Sequence, residues 1–212
     1  MGLDLCVEGR SIPGHEAEWE SIVRRFFADE EVTDAEIERF QSITEPAHVS
    51  LGAPRVGTDA SADDWIAAQM ADRMSREQAV VEFDGYCALA MIESDGLPKF
   101  THAGLYDGVD ETSFRGQFLE SCTDILTKQM IAEAWNHRMP EEAVTYGNSL
   151  IAAARDGRSG KTTAVRKSSM FRALLGGKPE SLPLEEQLEI VETAGRWFVF
   201  WGSRGHPIRA YF

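Results

Sequence analysis

The chain has 212 residues, with 35 acidic and 21 basic side chains and a formal net charge of −14. Its length suits one core of good size, and hydrophobic and charged fractions of 43% and 26% are typical of a folded chain rather than a disordered one. A strongly negative surface disfavours duplex nucleic acid and anionic membranes. We therefore rank nucleic acid last among possible partners and expect no membrane partner.

The N-terminal residues and the cysteines bear on the compartment. No basic region followed by an apolar stretch marks a signal peptide, and the longest apolar run, residues 86–92, is far shorter than the roughly 20 residues that span a bilayer. Cys6, Cys87 and Cys122 stand far apart among apolar neighbours, which favours reduced thiols. The sequence thus predicts a soluble cytoplasmic protein.

The first elements follow from periodicity and capping residues. Alternating apolar and polar residues predict a strand near residues 2–9, and apolar residues at steps of three and four predict a helix over about 14–28. A capping box at 33–36 begins the next helix. Residues 45–60 are expected to form a loop with at most a short strand, and residues 61–64 to cap a further helix.

The middle of the chain predicts a hairpin followed by helices. Residues 86–92 and 98–103 would form its two arms around the turn residues 94–96. One long helix is then expected over about 112–138. Pro140 and two acidic residues after it indicate another helix, which ends near Gly157.

The last third predicts helices and a second hairpin. One helix over about 162–175 would end at two glycines, and another would cover 184–193. The apolar run at 196–201 and the segment 207–211 are expected to pair as strands around a glycine-rich turn. The apolar strands at the C-terminal end would leave an edge through which a homodimer could form.

Together these elements predict an α+β fold, as a single domain over 1–212. Its small mixed or antiparallel sheet would be flanked by six or seven helices. A mainly helical domain with two loosely attached hairpins is the alternative.

A glycine-rich string at 157–162 resembles the end of a P-loop, G-x-x-x-x-G-K-[ST]. The position of its first glycine is Arg155, and the string follows a predicted helix instead of a strand, so a nucleoside triphosphatase is disfavoured. The amides that begin the next helix, with the basic residues around them, still predict an anion site. Its residues would be Arg158, Lys161, Thr162, Thr163, Arg166 and Lys167.

Other signals of chemistry are weak. His15 and Glu16 begin like the zinc motif H-E-x-x-H, but Trp19 occupies the position of the second histidine, and there is no C-x-x-C. The sequence therefore predicts neither a metal nor a cofactor. Cations and aromatic rings near the C-terminal turn predict a ligand or partner contact, or equally the edge of a core hairpin. The three polar residues of that contact are Arg204, His206 and Arg209.

The two parts of the chain differ in charge. Residues 1–150 carry 29 acidic and 11 basic side chains, a net −18, whereas residues 151–212 carry a net +4, concentrated between 155 and 178. The leading hypothesis is a protein that binds a basic partner protein through an acidic face, without catalysis. The alternative is a small-molecule enzyme or ligand-binding protein with an anion site at residues 158–167, and with His102 or Cys87 at its rim.

Overall fold

The computed structural model describes residues 2–88, 112–160 and 182–212. These residues form nine α-helices and five short β-strands, so the α+β class predicted from the sequence is confirmed. No helix among them is both long and apolar enough to cross a membrane. In chain order the elements are β1 (Asp4–Val7), β2 (Arg10–Ser11), α1 (Glu16–Phe27), α2 (Asp34–Ser42), β3 (Thr44–Glu45), α3 (Ala47–Ser50), α4 (Ala60–Gln69), α5 (Arg76–Glu82), β4 (Ser113–Phe114), α6 (Gln117–Glu120), α7 (Lys128–Glu133), α8 (Pro140–Arg158), α9 (Leu184–Gly202) and β5 (Ile208–Tyr211).

The chain divides into two compact units. The first unit comprises residues 1–44 and 97–212, and the second comprises residues 45–96. The single domain over 1–212 stays a prediction, and each unit is described by itself.

A three-stranded antiparallel sheet with the order β4-β1-β5 lies in the first unit. Leu5 pairs with both Phe114 and Ala210, and all three side chains are buried. Cys6 pairs with Arg209, and these two residues lie on the opposite face, where they are only half-buried, because side chains alternate across a strand. The strands predicted near 2–9 and 207–211 are therefore confirmed, and they pair with each other.

The strand predicted at 196–201 is wrong, and with it the C-terminal hairpin, whereas the homodimer stays a prediction. Helix α9 runs through this segment without a break. On one side its apolar residues face the sheet, where the ring centroids of Trp197 and Phe114 are 6.1 Å apart. On another side they face α8, where the ring centroids of Phe198 and Tyr146 are 5.0 Å apart. Between Trp197 and Trp201 every side chain except the half-buried Val199 is buried, and such a short apolar run in a helix cannot be told from a buried strand by its pattern.

Helices α8 and α9 approach each other through glycines. A Cβ atom at Gly147 would lie 2.7 Å from the carbonyl oxygen of Gly195, and one at Gly195 would lie 2.8 Å from that of Gly147. A Cβ atom at Gly202 would lie 2.6 Å from the carbonyl oxygen of Pro140. Any larger residue at these positions would force the two helices apart.

The two N-terminal helices form as predicted. The helix expected over 14–28 is α1, and the capping box of α2 is present, with Thr33 and Glu36 bonded to each other's backbone. The apolar stripe of α1 packs into a small core at the end of α2 and the start of α8. The buried members of this core are Trp19, Ile22, Val23, Ile43 and Met139.

The long helix predicted over 112–138 is wrong. The segment is divided into β4, α6 and α7, with turns between them. Ser121, Thr123, Asp124 and Thr127 explain the breaks, because short polar side chains bond to nearby backbone and favour turns and caps over helix interiors. Thr127 illustrates this, since its hydroxyl accepts the N–H of Met130 and caps α7. The helix predicted from Pro140 is confirmed as α8.

The second unit packs α4 and α5 around a small core of Val56, Ala62, Ile66, Ala79 and Ala88. The helix expected after a cap at 61–64 begins at Ala60, and the carboxylate of Asp59 at the N-cap position accepts the N–H of Arg55 instead of capping the helix. The loop expected over 45–60 contains α3, and of the predicted strand at 86–92 only residues 86–88 are described, where Cys87 forms an isolated bridge with Arg55. The predicted elements at 98–103 and 162–175 lie outside the described residues.

Candidate functional site

The predicted anion site is described only at its first residue. Arg158, in the last turn of α8, forms an ion pair with Glu192 of α9, and Glu192 also pairs with Arg196 at 2.7 Å. The charge of Arg158 is thus shared with a carboxylate. The other predicted residues of the site, Lys161, Thr162, Thr163, Arg166 and Lys167, lie outside the described residues, so the anion site stays a prediction.

The three residues predicted around the C-terminal turn have separate environments. His206 is buried, its Nδ1–H donates to the carbonyl oxygen of Glu8 at 2.8 Å, and its ring meets the edge of Trp201. The guanidinium of Arg204 lies 3.6 Å over the ring of Phe200 and donates to the Phe200 carbonyl oxygen. Neither side chain points to a shared binding site.

Arg209 lies on the outer face of the sheet between two aromatic rings. Its guanidinium is 4.1 Å from the centre of the Phe26 ring and 4.5 Å from that of Tyr211. Its Nη1 lies 3.9 Å from Oε1 of Glu8, and burial raises the pKa of that carboxyl while Arg209 lowers it. This arrangement is a cation bound by two rings and a carboxylate of the same chain.

A cleft in the first unit brings together residues that the sequence did not single out as a site. It consists of two adjoining cavities of about 450 and 630 Å³, which share Asn136, His137 and Glu142. The segment between α7 and α8 forms its floor, and α1, α8 and the C-terminal residue form its walls. We call it the His137 cleft, and its principal residues are Phe27, Asp29, Glu133, Trp135, His137, Arg138, Glu141, Glu142, Tyr146 and Phe212.

His137 links the cleft to strand β5. Its Nδ1 accepts the backbone N–H of Ala210 at 3.1 Å, and its ring stacks on Phe27 with centroids 4.8 Å apart. Burial lowers the pKa of His137, the positive charge of Arg209 lowers it further, and Asp29 acts in the opposite direction. The imidazole is therefore favoured in its neutral form with the proton on Nε2.

Arg138 is a buried cation at the cleft, with only 5% of its surface exposed. Its Nη1 donates to the carbonyl oxygen of Asn136 at 2.9 Å, its Nη2 donates to that of Glu133, and the guanidinium lies 3.8 Å over the ring of Tyr146. In the described part of the chain it forms no ion pair. Backbone carbonyls and an aromatic face thus hold this charge in place of a carboxylate.

Four carboxylates line the cleft, namely Asp29, Glu133, Glu141 and Glu142. Among the described residues none of them forms an ion pair. Glu142 accepts the N–H of Met139 and so caps α8. Glu133 accepts a hydrogen bond from the side-chain amide of Gln129, which lies one turn earlier in α7. The cleft therefore offers four carboxylates that form no ion pair in the described chain, while the positive charges of Arg24 and Arg138 act on Glu142 from nearby.

Aromatic rings stand beside these carboxylates. Trp135 and Phe212 meet with centroids 5.5 Å apart at an angle of 59°, and 63% of the surface of Phe212 is exposed. The nearby cation Arg24 pairs with Glu20 at 2.7 Å. Carboxylates and aromatic faces both attract cations, so the arrangement is suited to bind a positively charged group.

The residues of the cleft carry no motif in the sequence. The only local signal is the placement of His137 and Arg138 between Trp135 and Met139, where polar side chains interrupt apolar ones. Their partners, Ala210 and Tyr146, come from other elements. No group of three or more His, Cys, Asp or Glu side chains among residues 2–88, 112–160 and 182–212 is placed to hold a metal ion.

The chain was compared with protein-family models, with curated proteins and with solved structures. None of the three comparisons found a match. Inference about function therefore rests on the residues and geometry of the His137 cleft.

Proposed function

We propose that this protein works by binding, and that the His137 cleft receives a positively charged part of a basic partner protein. One observation carries the proposal, which is that four carboxylates without ion pairs in the described chain line one cleft with the half-buried ring of Trp135 and the exposed ring of Phe212. Complementary charge raises the rate and the specificity of association. The formal charge of −14 would add long-range attraction for the same partner.

The acidic residues of α1 and α2 are weaker candidates for this role. Glu18 pairs with Arg39 and Glu20 with Arg24, each at 2.7 Å, and Glu36 pairs with Arg25. A partner would have to break these pairs before it gained from the same carboxylates. This contrast narrows the acidic face expected from the sequence to the cleft.

The proposal is tested with two triple variants of equal charge change. One removes three cleft charges through Asp29→Asn, Glu141→Gln and Glu142→Gln. The matched control removes three paired charges through Glu18→Gln, Glu36→Gln and Asp64→Asn, of which Asp64 pairs with Arg76 in the second unit. Glutamine at 142 and 36 can still accept the capping hydrogen bonds, so both variants are expected to fold, which circular dichroism would check.

Binding of a deca-arginine peptide to the full chain is measured by calorimetry at low and at high salt. We expect the cleft variant to weaken binding by about tenfold and the control by much less, because paired carboxylates already have a cation. We also expect the affinity of the unaltered chain to fall as salt increases. Equal weakening in both variants, or none in either, would overturn the proposal.

A further inference from the structure

The structure places a cation that is already bound next to the cleft, and this cation indicates which group the cleft suits. Arg209 lies between the rings of Phe26 and Tyr211, with the carboxylate of Glu8 beside it. The residues that follow these rings in the chain, Phe27 and Phe212, line the first cavity of the His137 cleft. The same pair of chain segments thus contributes aromatic rings to both places.

The first cavity repeats the chemistry of the Arg209 site. Trp135 and Phe212 form a corner of two rings, and Asp29 and Glu142 supply carboxylates. The only arginine or lysine side chain lining that cavity, among the residues described, is Arg24, whose guanidinium is bonded to Glu20. The cavity therefore has the rings and the carboxylates of the Arg209 site, and the guanidinium of Arg24 is hydrogen-bonded to Glu20 and acts on Glu142 only through its charge.

We propose that the Trp135–Phe212 corner binds the guanidinium of an arginine side chain of the partner protein. A guanidinium is planar, so it can lie flat against an aromatic ring while its N–H groups reach a carboxylate, whereas an ammonium makes neither contact as well. Asp29 and Glu142 take the place that Glu8 has beside Arg209. This inference rests on the proposed function and adds to it the identity of the side chain.

Charge at the neighbouring positions agrees with a cation in this corner. His137 adds no positive charge near neutral pH, since burial and Arg209 keep its imidazole neutral. Arg138 is turned to the carbonyl oxygens of Asn136 and Glu133. The cations nearest to the corner are thus neutralised or held by other groups.

The test compares three ten-residue peptides of arginine, lysine and citrulline with the full chain. Citrulline keeps the shape of arginine without its charge. Binding is followed by calorimetry and by the indole N–H signal of Trp135 in NMR spectra, which is assigned through its loss in Trp135→Phe. The indole nitrogens of Trp19, Trp197 and Trp201 are buried, so they are not expected to respond directly.

We expect the arginine peptide to shift the Trp135 signal and to bind about threefold or more tighter than the lysine peptide, and citrulline not to bind. Phe212→Leu should remove the preference for arginine, and it should fold because the side chain is largely exposed. Trp65→Phe, in the second unit, is the control and should leave the preference unchanged.

Two outcomes separate this inference from the proposed function. Equal binding of arginine and lysine peptides with no shift at Trp135, while the cleft carboxylates still matter, would overturn the arginine corner alone. Binding that does not depend on the cleft carboxylates would overturn both.

Discussion

Two groups of carboxylates in the first unit have the same charge and different surroundings. Those on α1 and α2, such as Glu18, Glu20 and Glu36, each face an arginine of the same helix pair. Those of the His137 cleft form no ion pair among the described residues. Net charge counts both groups equally, but only the second is available to a partner without breaking an ion pair of the described chain.

The two groups of carboxylates differ because the nearby arginines bind to different groups. On α1 and α2 they lie one turn away from a glutamate or face one across the helix pair, so pairs form on the surface. Beside the cleft, the guanidinium of Arg138 bonds to carbonyl oxygens and that of Arg209 lies between aromatic rings. The cations nearest to the cleft make their close contacts with other groups, so its carboxylates form no ion pair in the described chain.

The largest effect is expected when the buried arginine is removed. Arg138→Met should lower the free energy of unfolding by about 2 kcal/mol, since the hydrogen bonds of a buried charged group are lost and its carbonyl partners lose a donor. Arg39→Met, on the paired surface of α2, should cost much less because exposed pairs are screened by water and salt. Urea unfolding measures the free energy of unfolding of both variants. Equal losses of stability would contradict the distinction between the two regions.

An intermediate effect is expected at His137. His137→Phe should cost about 1–2 kcal/mol near pH 7.5, because the buried N–H of Ala210 loses its acceptor. The folded chain disfavours the imidazolium, so the stability that neutral His137 contributes is present above pH 6.5 and is lost as the pH falls through the lowered pKa. The difference in the free energy of unfolding between the unaltered protein and His137→Phe, measured in urea, should therefore narrow at acid pH. A difference that stays constant with pH would argue against this role of neutral His137.

The smallest effect is expected at one ion pair between α1 and α2. The guanidinium of Arg25, followed by the backbone and hydroxyl of Thr33, lowers the pKa of Glu36 to about 2. Arg25→Met should raise that pKa toward 4.5, and the stability that depends on ionised Glu36 would then be lost at a higher pH. NMR titration of the Glu36 carboxyl carbon measures this. Arg24→Met, which removes the cation paired with Glu20, should leave the Glu36 titration unchanged.

Elements with local signals were predictable from the sequence. The stripe of α1, the capping box at Thr33 and the proline that begins α8 each act within a few residues, so each element appears where it was expected. The strand expected at 196–201 failed for the opposite reason. Its conformation depends on α8 and the sheet, which enclose it, and no short window of sequence contains them.

The candidate site was not predictable because its defining contacts are distant in sequence. His137 is oriented by Ala210, and the ring of Trp135 meets Phe212. From the sequence alone the acidic face could lie anywhere within residues 1–150. The ion pairs that neutralise part of its charge are also tertiary contacts, so the sequence does not show them. Only the folded arrangement distinguishes paired from unpaired carboxylates.

The position of β1 also has a consequence for biosynthesis. This strand is synthesised before both of its neighbours, β4 and β5, and the bonded groups of Glu8 and His206 are 198 residues apart. Contacts across such a separation form slowly, so the apolar side of β1 stays uncovered until β5 has been made. Translation that is stopped before β5 should therefore leave the apolar side of β1 open to other apolar surfaces.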